Sequence, residues 1–172
     1  LGKNETSDFS AIVGTALTSE GYYYQIYDDI QRRRSDDIMK DIIRALILFR
    51  WKVLGIESNG GQEHFIDGFK RTLARFNSLG YEEQMHEFGF TSQNKIVVAI
   101  EPVNNSGDKI KRIKGSLQPL IKSGYLKIRQ DSTLLYKMIN EFQTTKKDGI
   151  VALEISMQLQ HWYNTFGTHS TE

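Results

Sequence analysis

Two runs, VLGIE at 53–57 and IVVAIEPV at 96–103, are apolar enough to be buried on both faces, and each is followed by residues at helical spacing. A strand of that kind has to be covered above and below, and helices in the same chain are the natural cover. This alternation constrains the fold more than any other feature.

The remaining elements fit around it. SAIVGTAL (10–17) and YYYQIYDD (22–29) are β-type runs separated by TSEG, whose glycine suits a hairpin turn. After RRR at 32–34, Ser35 is placed to cap a helix carrying Ile38, Ile42, Ala45, Leu46 and Phe49 on one face. A helix is predicted over 62–79 with Phe65, Phe69, Leu73 and Phe76 inward and Gly80 as its stop. Another is predicted over 108–123 with Ile110, Ile113, Leu117 and Leu120 inward, broken in register near Gly115 and Pro119. YLKIR reads as a short edge strand, and helices over 132–143 and 148–165 close the chain. The order β-β-α-β-α-β-α-β-α-α is an α/β layered fold. With no linker, repeat or low-complexity segment, residues 1–172 read as a single domain.

Composition excludes some classes of function. There is no cysteine, hence no disulfide and no thiolate metal site. No apolar stretch approaches the roughly 20 residues that span a bilayer, and LGKNETSD has no signal-peptide pattern, so a soluble, internal protein is expected. The net charge is only +1, yet residues 107–129 hold Lys109, Lys111, Arg112, Lys114, Lys122, Lys127 and Arg129 against one acid, Asp108. Such a cluster suits either a polyanion such as DNA or a solvated helix face.

Glu57 ends an apolar strand, and ligand sites in open α/β sheets gather at strand ends. Asp8 before the hairpin, Glu101 late in the second apolar strand and Asp148 before a helix are the acids to compare with it. Carboxylates brought close together repel unless a cation sits between them, and Mg²⁺ or Mn²⁺ takes such oxygen ligands. Spacing leaves open whether these acids converge. Pro102 after Glu101 suits a strand leaving the sheet. The histidines at 64, 86, 161 and 169 show no metal-ligand spacing.

Four stretches, in this order, resemble a known family: LGKNETSDFSAIV, VLGIESNGGQ, DKIKRIKGSLQPLIKSGYLKI and KKDGIVALEISMQ. The chain resembles the C-terminal nuclease domain of the large terminase subunit of tailed bacteriophages and prophages. The resemblance implies an RNase H-like fold, α/β with a mixed central sheet flanked by helices. It implies a metal-dependent endonuclease with two Mg²⁺ or Mn²⁺ ions that cuts concatemeric double-stranded viral DNA during packaging.

Residue by residue, the resemblance matches Glu57 to the family's central metal-binding acid and Asp148 to its last one. Asp8 is either an auxiliary ligand or a turn aspartate before a strand. The first acid of the family's D-P-S-L-G-K motif, with its strand, is expected just upstream of Leu1. Lys109, Arg112 and Lys114 are expected to hold the DNA backbone. Lys146 and Lys147 stand where the family often has acids or a histidine, and read better as a surface pair than as phosphate contacts. Asn59 and Gln62 either position Glu57 or belong to an ordinary turn.

The implied setting is the cytoplasm of the bacterial host. The resemblance implies an ATPase domain elsewhere in the intact chain, and because no P-loop occurs here this segment is not expected to drive translocation; the portal and small terminase subunit are expected as partners, with no membrane. The competing readings are a non-catalytic DNA or partner docking module and an RNase H-like resolvase or transposase core.

Overall fold

A computed structural model describes residues 9–58, 63–141 and 148–166. The elements are β1 (Phe9–Leu17), β2 (Tyr23–Arg32), α1 (Ser35–Phe49), β3 (Val53–Glu57), α2 (Glu63–Ser78), α3 (Tyr81–Phe88), β4 (Ala99–Val103), α4 (Lys109–Lys122), β5 (Leu126–Lys127), α5 (Thr133–Asn140) and α6 (Asp148–Phe166). They fall into two compact units, one within residues 1–32 and 106–172 and the other within 33–105.

In the first unit β1 and β2 form the expected antiparallel hairpin. Its turn is closed by Gly21 N donating to Thr18 O at 3.0 Å, with Gly21 at φ 85°, a conformation that costs glycine little. β2 also pairs in parallel with β5, giving a mixed three-stranded sheet of order β1-β2-β5 with β5 at its edge. α6 packs along β1 and also meets α4 and α5. Ile150, Val151, Leu153, Ile155 and Met157 are all buried, so the first half of α6 is apolar on almost every side, as a central helix must be. α4 runs unbroken through Gly115 and Pro119, contrary to the expected break. Both residues are exposed, so the carbonyl that loses its N–H partner to the proline faces the solvent side.

The second unit is built on aromatic packing. Phe69 and Phe76 of α2 are wholly buried, and Phe76 meets Phe88 edge-on at 4.9 Å between ring centroids. Burial of side chains this size stabilises by about 1.5–3 kcal/mol each. From α1, Met39, Ile42, Ile43, Ala45 and Leu46 face inward, so the stripe includes Met39 and Ile43 in addition to the predicted face. Ser35 is the first helical residue instead of the cap. Arg34 occupies the cap position without a side-chain bond, while Asp36 and Asp37 place negative charge at the positive end of the helix.

Gly80 both follows α2 and opens α3, a helix absent from the sequence reading. Glu83 closes its start by accepting from Gly80 N at 2.8 Å, one half of a capping box, since glycine has no side chain to return the bond.

β3 and β4 are parallel, in register from Val53 opposite Ala99 to Glu57 opposite Val103. The predicted strand over 96–103 therefore begins three residues late, for a specific reason. Asn77 donates to Ile96 O and accepts from Ile96 N, both at 2.8 Å, so a side-chain amide takes the place of a strand partner. The fully buried Gln84 does the same for Asn94, at 2.9 and 2.8 Å. Pro102 does not end the strand: it lies opposite Ile56, and pairing continues until Ser58 N donates to Val103 O at 3.0 Å. β4 is at the edge of its two-stranded sheet, where a missing N–H is tolerated.

Candidate functional site

Glu57 is the last residue of β3 and is half-buried, directly after the buried Ile56. Side chains alternate along a strand, and register partners share a face. Glu57 is therefore on the same face as Val103, and Glu101, opposite Gly55, is on that face as well, one pleat away. Gly55 has no side chain to separate them. The parallel register thus sets beside Glu57 an acid that the family resemblance leaves without a counterpart.

Asp148 is the first residue of α6 and is half-buried, so its charge meets the positive end of a long helix. The next residue, Gly149, is buried for a steric reason. A Cβ there would lie 2.5 Å from Ile30 Cδ1 and 3.0 Å from Met138 Sδ. Only a glycine lets the start of α6 close against β2 and α5 without displacing those side chains, and that closure fixes the backbone from which Asp148 projects.

Glu57 and Glu101 belong to the second unit and Asp148 to the first. Asp8, Asn59, Gln62, Lys146 and Lys147 lie outside the described residues. Among the described residues no three His, Asp or Glu side chains group as a cation site. The donor chemistry does suit a hard divalent ion, because Glu57 and Asp148 are carboxylates at element ends and neither is fully buried.

The basic helix divides into two faces. Arg112 Nε donates to both carboxylate oxygens of Glu154 at 3.0 and 2.9 Å, and Ser116 Oγ donates to the same carboxylate at 3.1 Å. Glu154 is completely buried and the Arg112 side chain is only 19 % exposed. Its Nη2 is buried with no hydrogen-bond partner among the described residues. Arg112 is thereby committed to joining α4 to α6. Lys109 is half-buried, whereas Lys111, Lys114, Gln118 and Lys122 are exposed at helical spacing and form one stripe.

Glu154 was passed over in the sequence, although a lone acid inside IVALEISM is a signal for it, since such an acid requires a partner once that helix is buried. Lys111 and Lys122 belong to the same basic segment but not to the expected backbone-binding set.

A search of curated proteins gives no significant match. The family model described as Terminase Bacteriophage T7, Ribonuclease H-like domain matches residues 2–126. The matched stretch takes in the hairpin, the whole second unit with Glu57, and the basic helix, while Asp148 lies beyond it. The fold is accordingly RNase H-like, α/β with a mixed sheet flanked by helices. With well over half of its length matched, the chain belongs to the terminase RNase H-like family, which serves as the nuclease of phage DNA packaging.

Proposed function

We propose that this chain is a metal-dependent endonuclease that cuts concatemeric double-stranded viral DNA during packaging, with residues 1–172 acting as one nuclease domain. The observation that carries the reading is the position of Glu57: a half-buried carboxylate at the end of β3, inside the residues matched by a terminase nuclease family. Glu57 and Asp148 would hold the Mg²⁺ or Mn²⁺ ions, with Asp8 as an auxiliary ligand. When bound, such ions supply Lewis acidity toward the phosphodiester and toward water. The protein's own contribution is positional. β3 and α6 present the two acids from the ends of regular elements, and the exposed lysines of α4 hold the phosphate backbone. Binding of that kind is sequence-independent and weakens with salt.

The exposed stripe shifts the expected weight of DNA contact from Arg112 toward Lys114, with the half-buried Lys109 kept as a contact at the start of the helix. In the intact protein an ATPase domain would drive translocation, with the portal and small terminase subunit as partners in the host cytoplasm. Among the described residues no helix is long and apolar enough to cross a membrane.

The test is cleavage of supercoiled plasmid with Mg²⁺, Mn²⁺ or EDTA. Metal-dependent nicking lost in Glu57→Ala and in Asp148→Ala, with duplex binding retained, supports the nuclease. Duplex binding without cutting under any condition, unaltered by Glu57→Ala, supports the docking module instead.

A further inference from the structure

At the β2–β5 edge of the first unit three tyrosines lie exposed on one face of the sheet. Tyr24 pairs in register with Lys127, and Tyr22 and Tyr125 precede those partners by two residues, so the alternation of a strand puts all four side chains on the same side. The opposite side carries the buried Gln25 and Leu126. Tyr22, Tyr24 and Tyr125 are 38, 42 and 46 % exposed. Tyr22 and Tyr125 are stacked, with centroids 5.2 Å apart and planes 23° from parallel, and Lys127 Nζ stands 5.9 Å from the Tyr22 ring centroid.

A solvent-facing tyrosine stack costs ordering and leaves aromatic surface in water. Here the stack is held by backbone pairing, since Tyr23 N donates to Tyr125 O at 2.8 Å, so the ledge is preformed.

We infer that this ledge binds single-stranded DNA by stacking an unpaired base on the Tyr22–Tyr125 pair, with Lys127 against the adjoining phosphate. Two features select this partner. Partly exposed, already stacked aromatic rings match the faces of bases, which become available only when a strand is unpaired. The surrounding charge is complementary to phosphate: Lys127 lies within the ledge, and Lys122, which ends the exposed lysine stripe of α4, is three residues from Tyr125. Glu20, in the hairpin turn two residues before Tyr22, is an acid close to the ledge in the chain. The inference rests on the nuclease reading only in expecting DNA as the partner.

The experiment uses the whole chain in EDTA, where no cutting is expected, and a fluorescein-labelled thymidine oligonucleotide of about 12 nucleotides, within the span typical of such sites. Anisotropy gives the affinity of the parent and of Tyr22→Ala, Tyr125→Ala, Tyr125→Phe and Lys127→Ala, with thermal melts confirming that each is folded. Each alanine substitution of a tyrosine is expected to weaken oligonucleotide binding by ~10-fold or more while leaving duplex binding within about twofold. Tyr125→Phe should behave as the parent, because the ring and not the hydroxyl carries the contact. Unchanged oligonucleotide affinity in both alanine variants, with duplex binding intact, overturns the ledge and leaves the nuclease reading standing. Loss of self-association in those variants, with oligonucleotide affinity unchanged, also overturns it and identifies the face as a contact between copies. Absence of both oligonucleotide and duplex binding by the parent chain overturns the ledge together with the DNA-binding part of the nuclease reading.

Discussion

The two units are specified by different chemistry. The second is held by ring and aliphatic packing at helical spacing, with Phe69, Phe76 and Phe88 at its centre and Asn77 and Gln84 serving as substitutes for backbone partners. The first has its own apolar centre on α6, but the elements that meet there are joined by buried polar groups far apart in sequence. Arg112 and Ser116 of α4 reach Glu154, and Thr15 of β1 meets Ser156 at 2.6 Å. Gln25 of β2 accepts from Arg129 N at 3.0 Å and from Ser132 Oγ at 3.1 Å, while Ser132 also bonds Asp28. Packing of the first kind tolerates repacking, whereas a polar group without its partner in a dry interior does not.

That contrast is broken or sharpened most strongly by Arg112. Arg112→Ala leaves the Glu154 carboxylate buried without its cation and is expected to destabilise by about 3–5 kcal/mol. Replacing both, Arg112→Met with Glu154→Leu, is expected to recover most of the loss, since an apolar pair can substitute for a buried ion pair. Urea unfolding of the three proteins decides it: a double variant as unstable as the single one would sink the account of Arg112 as a structural link. Phe76→Ala in the other unit is expected to cost a similar 3–5 kcal/mol through the cavity it leaves, but Phe76→Leu distinctly less. No such graded series should exist at Glu154, where Gln removes the charge while keeping the shape.

Gly149→Ala comes next. Its Cβ would press on Ile30 and Met138, both flexible at their tips, so a cost of about 1–3 kcal/mol is expected. Because Asp148 is the neighbouring residue, plasmid cleavage is expected to fall by more than the folded fraction accounts for. Equal losses of folded protein and of activity would mean that Gly149 serves packing alone.

The smallest effect is electrostatic. The Arg129 side-chain hydrogen bond, the largest cause, holds the Asp131 carboxyl below its ordinary value. A carboxyl whose folded pKa is depressed contributes stability that is present above its unfolded pKa and is lost as pH falls through the folded one. The loss should therefore appear only in acid, and in Arg129→Gln the Asp131 titration followed by NMR should move up toward that of a free aspartate. The pair is solvent-exposed, so little global stability depends on it.

Legibility in the sequence follows the same division. VLGIE, the hairpin and the inward Phe69, Leu73 and Phe76 of α2 were readable because strand and helix periods show in a single segment, although Ile66 and not Phe65 completes the buried face. Glu57 at a strand end and Asp148 at a helix start were placed correctly as positions in the chain for that reason. α3 was missed because its start, Gly80, is also a plausible stop, and the Glu83 bond that resolves the ambiguity is not a periodic signal. The late start of β4 depends on Asn77 and Gln84 amides from other helices, and the face shared by Glu57 and Glu101 depends on a strand register. Neither is visible in one sequence. The commitment of Arg112 to Glu154 spans 42 residues, so Arg112 was grouped with Lys109 and Lys114 as an expected backbone contact although it points inward.

The measurement that tests the central claim most directly is the rate of plasmid nicking in Mn²⁺ by the parent chain, Glu57→Ala, Asp148→Ala and the double variant, at matched folded fraction. If Glu57 and Asp148 serve one reaction, each single substitution abolishes nicking and the double is no worse than either, because residues acting together are not additive. Nicking at the parent rate by folded Glu57→Ala would contradict the account.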